Sequence, residues 1–169
     1  MQPGIDFVRA QVAEAAAMHS SLLQSMIYHE SEANDARYRD LCDRHLPRMR
    51  EHQLMLDELK SSLGVATRIP PIGIARSLAD APISDYKRLE ADLDLARRLE
   101  VTFKTFRDAG RTLRIDRLAR LGELAERHHD DYSADAKRLL LQMFIERAQD
   151  VAETVRRVAH DGRADSRIR

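Results

Sequence analysis

Tryptophan is missing from this chain. Cysteine, glycine, proline and aromatic residues are scarce, at one Cys, six Gly, five Pro and 5% aromatics in 169 residues. A single cysteine, Cys42, excludes an internal disulfide. So few Gly and Pro leave little material for the many tight turns of a sandwich or barrel. No run of about 18 apolar residues occurs, which excludes a helical membrane span. Net charge of either sign is lacking too, with 28 Lys plus Arg against 28 Asp plus Glu, so no basic stripe for nucleic acid is present. The first residues carry Asp6 and Glu14 where a secretion signal needs a basic start and an unbroken apolar run. The expected setting is therefore cytoplasmic and reducing.

What is present is helical. Ala, Leu, Arg, Asp and Glu dominate, and the 33% charged residues are interleaved in sign, as on a solvated helical surface. Apolar residues recur at steps of three and four through Val8, Val12, Ala15, Leu22 and Met26, with His19 on the same stripe. A second stripe reads Tyr38, Leu41, His45, Met49, His52, Leu56, Leu59 and Leu63, with Gly64 as a C-terminal cap and Pro47 as an expected kink. A third runs from a Ser84-Asp85 cap through Leu89, Leu93, Ala96 and Phe103 to a stop near Gly110, and a fourth carries Leu118, Leu121 and Ala125. One all-α domain over 1–169 is expected, with helices over about 3–30, 35–63, 84–109 and 114–132. A break at Ser133-Ala134-Asp135 then leads to a fifth over 134–160, and residues 161–169 form a frayed tail. Residues 65–83 hold three of the five prolines, too long a connection for neighbouring helices of a bundle. They are expected to cross over along its side, with Ile69, Ile72, Ile74 and Leu78 packed against it.

Two antiparallel hairpins joined by such a crossover meet near their helix midpoints. That puts His19, Met49 with His52, Ala96 with Glu100, and Glu126 with His129 at one height, with Glu14 close along the first helix. Glu126 and His129, three residues apart, share a helix face and could reach one cation. A di-iron carboxylate centre needs one Glu from each of two helices and a Glu-x-x-His from each of the other two. Glu126-Arg127-His128-His129 is one complete copy; Met49-Arg50-Glu51-His52 is another in which Met49 stands in the carboxylate's place. His128 reads as a flank residue, Tyr132 as core and Cys42 as a small buried hydrophobe.

The crossover order, with LEADLDLARRLE at 89–100 and ELAERHHDDY at 123–132, resembles the third and fourth helices of bacterioferritins. HLPRMREHQLMLDELKSSLG at 45–64 is similar to the second helix of the ferritin-like superfamily, including its YciE/YciF stress-associated group. The resemblance implies a ferritin-like antiparallel four-helix bundle and, by analogy, a link to stress or metal handling. Carried over by position, Glu126 and His129 match the Glu-x-x-His of the fourth helix and His52 the His of the second. Ala96 falls where the third-helix Glu belongs, and Glu14 and His19 compete for the first-helix place.

With Met49 and Ala96 in place of bridging carboxylates, a ferroxidase centre is not expected. His19, His52, Glu126 and His129, with Glu100 or Glu14, are the candidate ligands for one ion of Fe, Mn, Zn or Ni. The competing expectation is a buried hydrogen-bonded network with no metal, satisfied by Arg50, Arg97 or water, inside a non-catalytic helical protein that dimerises through its last helix. A hemerythrin-like centre is disfavoured because His45, His52, His128 and His129 lack its spacing.

Overall fold

The computed structural model describes residues 3–65 and 84–164, which form α1 (Pro3–Glu32), α2 (Ala36–Ser62), α3 (Asp85–Leu113) and α4 (Asp116–Ala164). Among these residues there is no strand, and no helix is long and apolar enough to cross a membrane. The ends follow local chemistry. Asp35 caps α2 through its side chain, which accepts from the Arg37 N–H at 2.9 Å. Gly64 (φ 67°) ends α2 in the left-handed region, with Val65 N bonded to Lys60 O and Gly64 N to Ser61 O. Ser84 occupies the N-cap position of α3 but its side chain makes no capping bond. Asp85 instead reaches across the bundle end and accepts from the Asp35 N–H at 2.7 Å.

Three expectations about the helices are corrected. Pro47 does not interrupt α2; it lies on the exposed face, where its missing N–H leaves the packed side intact. The third helix passes Gly110 and ends at Leu113, with Arg114 in the left-handed cap (φ 58°). The expected separate helix over 134–160 is instead part of α4, which is continuous over 49 residues, through Ser133-Ala134-Asp135 and on into the expected tail as far as Ala164. The proposed crossover of 65–83, with Ile69, Ile72, Ile74 and Leu78, lies outside the described residues apart from Val65.

Contacts between side chains fix the topology. Arg9 meets Leu63 O, His19 meets Gln53, and His29 meets Tyr38, so α1 and α2 run antiparallel. His19 lies against Phe103 and Ser25 against Asp92, so α1 and α3 are antiparallel as well. Arg37 with Glu146, His45 with Asp135 and His52 with His128 set α2 antiparallel to α4. It follows that α2 and α3 are parallel, with adjacent N-termini, and that the chain must travel the length of the bundle between them. The cross-section is a square in the order α1, α2, α4, α3, with the densest packing between α3 and α4. Two glycines permit that density. A Cβ on Gly110 would meet Ala119 N at 2.4 Å, and one on Gly122 would meet Arg107 N at 2.2 Å and Phe103 O at 2.6 Å. The apolar stripes of all four helices, from Val12 and Leu22 to Leu121 and Met143, close into one core.

Candidate metal centre

Midway along this core, three helices each turn one imidazole inward. His19 from α1, His52 from α2 and His129 from α4 are all fully buried, and one ring nitrogen of each lies within 4.8 Å of the other two. His19 meets His52 and His129 edge to face, at centroid separations of 6.0 and 5.4 Å, while His52 and His129 lie near-parallel at 5.6 Å. From the fourth side α3 contributes Phe103, whose ring centre is 5.0 Å from that of His129 and 6.2 and 6.5 Å from those of His19 and His52.

Each imidazole is oriented by its other nitrogen. His129 Nδ1 donates to Ala125 O, one turn back on its own helix, at 2.7 Å. His19 Nδ1 donates to Gln53 Oε1 at 3.0 Å, and the Gln53 amide is itself oriented by donating to Asp57 at 3.3 Å. His52 Nε2 lies 2.8 Å from His128 Nδ1, with the two ring planes only 19° apart, so the rings are joined edge to edge. In the tautomer where His52 Nε2 donates and His128 Nδ1 accepts, the lone pair of His52 falls on Nδ1. The nitrogens left over, His19 Nε2, His52 Nδ1 and His129 Nε2, are buried and have no hydrogen-bond partner within the described residues.

Burial also settles their charge. It pushes His19 down to about 4, with Gln53 and Asp57 opposing only in part. His52 is pushed down to about 3, by burial first and then by the neighbouring His19, His128 and Arg48. His129 is held well below the usual imidazole range for the same reasons. All three rings are therefore neutral at pH 7 and present lone pairs rather than protons. Ligating imidazoles in metalloproteins are held in the same way, by a carbonyl, amide or imidazole partner on the second nitrogen.

The carboxylates do not join them. Glu126 turns to α3 and pairs with Arg107, lining a surface recess with Glu100, Arg127 and Asp130. Glu14 is exposed. So of the six candidates His19, His52 and His129 come together, while Glu126, Glu100 and Glu14 lie outside their layer. Arg50 and Arg97, the expected satisfiers of a metal-free network, are exposed as well. The third-helix residue at this height is Phe103, two turns beyond Ala96. His128 also departs from its expected role as a flank residue: the His-His doublet sends one ring into the core and the other, half-buried, onto His52.

Comparisons with protein-family models, curated proteins and solved structures find no match to this chain. The chemistry of the layer therefore rests on the residues themselves. A tetrahedral ion at about 2.0–2.1 Å from each nitrogen would need them roughly 3.3 Å apart, closer than the spread of up to 4.8 Å found here.

A second buried polar cluster lies toward the other end and was not singled out by the sequence. Asp92 of α3 accepts from Ser25 Oγ at 2.6 Å and Tyr38 Oη at 2.7 Å, and His29 Nδ1 sits 2.9 Å from the same Tyr38 oxygen. Burial raises Tyr38 well above the usual phenol range, with the Asp92 charge adding to it, so the phenol stays a donor. Its partners are satisfied internally, which makes it a junction of three helices.

Proposed function

We propose that this protein is a metal-handling four-helix bundle that holds one transition-metal ion among His19, His52 and His129. The observation that carries this reading is the convergence of three buried, neutral imidazole nitrogens that lack a hydrogen-bond partner. Left unpaired, each buried acceptor costs about 1–3 kcal/mol, and neither a lone core histidine nor a closed network leaves three aimed at one point. An ion answers all three at once.

The parallel α2 and α3, which demand one long crossover, support a ferritin-like architecture and with it the analogy to cytoplasmic stress or metal handling. Oxygen-dependent di-iron chemistry is not part of the proposal. The layer holds no bridging carboxylate, and Glu126 is engaged by Arg107. Metal analysis of protein purified without chelator tests the reading. About one equivalent is expected in the wild type and in Glu126→Gln, and little in His129→Ala. Equal metal in His129→Ala would sink it.

A second reading concerns assembly. Beyond Arg147, α4 runs on for roughly 25 Å. Leu141, Phe144 and Val151 are exposed on it at coiled-coil steps, with Ala148 between, which supports pairing with a second copy. Replacing the exposed seam residues, Leu141→Glu with Phe144→Glu, should halve the solution mass; an unchanged mass removes the dimer.

A further inference from the structure

Resting on the metal-site reading above, we propose that the ion this layer is built to hold is monovalent copper, rather than zinc or ferrous iron. The argument begins with charge. The three ligands are neutral, and the carboxylates that could have balanced a dication are turned away: Glu126 to Arg107, Glu100 into a surface recess, Glu14 to solvent. Asp57, the acid whose charge acts on His19, reaches it only through the Gln53 amide. In a site this deeply buried, an uncompensated charge of two costs about four times the desolvation of a charge of one at equal radius. A carboxylate-free pocket therefore favours the monocation.

Coordination number points the same way. Zinc completes four ligands, and iron and manganese ask for more, mostly oxygen. Here the fourth helix face carries the Phe103 ring, fully buried and in ring contact with all three histidines. A phenyl ring is no ligand for zinc, but its face attracts a cation. Three nitrogens beside an aromatic ring, with no fourth donor from α3, suit an ion content with three donors. One turn back from His52 lies the thioether of Met49, itself fully buried, a soft donor that copper(I) accepts and hard dications refuse. The substitution that spoils a di-iron centre is thus compatible with copper.

The test is an anaerobic competition in which the full chain meets copper(I), zinc(II) or iron(II) against chromophoric chelators of known affinity for each. Copper(I) should be held in one equivalent and preferred over zinc(II) by roughly a hundredfold or more. X-ray absorption of the loaded protein should report three nitrogen neighbours. Zinc(II) or iron(II) bound as tightly as copper(I) would overturn the proposal. A second arm uses Phe103→Glu, which supplies a charge and a fourth donor. It should move the preference toward zinc(II) by at least tenfold, and an unchanged preference in this variant, if folded by circular dichroism, also overturns the assignment; the wild-type competition decides in any case. Failure of the site itself looks different: no metal of any kind retained, or all three retained equally by His129→Ala and wild type.

Discussion

Asp92 shows what a single side chain does in this bundle. A carboxylate only 2% exposed would be prohibitive alone, yet Ser25 and Tyr38 each donate a short hydrogen bond to a different oxygen, so α1, α2 and α3 are tied at one point. Tyr38→Phe removes one donor while keeping the ring, and unfolding in urea should show a loss of about 1–3 kcal/mol with an unchanged m-value; a loss below a few tenths would mean that the bond is not made. The three site histidines act through pH. Unfolded, His19 titrates near 6.5; folded, near 4. Above pH 6.5 both states are neutral and stability is at its full value. Between 6.5 and 4 only the unfolded chain gains the proton, so stability falls, by on the order of 3 kcal/mol for His19 across the window, and levels off below it. Urea midpoints at pH 7.5 and pH 5 check this, and a flat profile contradicts it. His19, His52 and His129 were legible because each interrupts an apolar stripe. Ser25, His29 and Asp92 were not, because their partners lie on other helices, and no stripe read alone reveals interhelical register.

Among the elements, α4 departs furthest from expectation. Ser133 and Asp135 look like cap residues, but Ser133 is buried and Asp135 is spent on His45, at 2.9 Å, and on Arg44 and Arg138. Packing thus hides one candidate cap, Ser133, and tertiary partners on α2 take up the other, Asp135. The other hidden feature is the close approach of α3 and α4. Gly110 read as a helix stop, whereas it and Gly122 are contact points where one backbone lies against the other. Gly122→Ala puts a methyl into the backbone of Phe103 and Arg107, which cannot yield as a flexible side chain would. Intrinsic helix propensity alone would reward this change by about 1 kcal/mol. The packing clash should reverse the sign, to a net loss of roughly 1–3 kcal/mol by chemical denaturation. A stabilised Gly122→Ala would show that the helices are further apart than described.

At the scale of the molecule, α1 with α2 and α3 with α4 are hairpins held together by apolar burial and a few polar ties. The periodicity of the sequence carried the four helices and their pairing; it did not carry the sliding of α3 against α1. Matching midpoints put Ala96 beside His19, whereas Phe103, seven residues further along α3, takes that place. The same geometry makes the proposed ion a staple. His19 and His52 belong to the first hairpin and His129 to the second, so one ion bound by all three adds a bridge to the core and polar ties that already join the hairpins. Binding only to the folded state, metal at a hundred times its dissociation constant should add about 2.7 kcal/mol, or about 5–10 °C in the melting midpoint of a chain this size. His129→Ala severs the bridge while leaving two ligands in the first hairpin, so its midpoint should stay nearly unmoved by the same metal. Amide exchange separates a staple from a surface ion: protection should rise around His19, His52 and His129 together. A rise confined to α1 and α2 would mean that the ion sits on one hairpin and does not join the two.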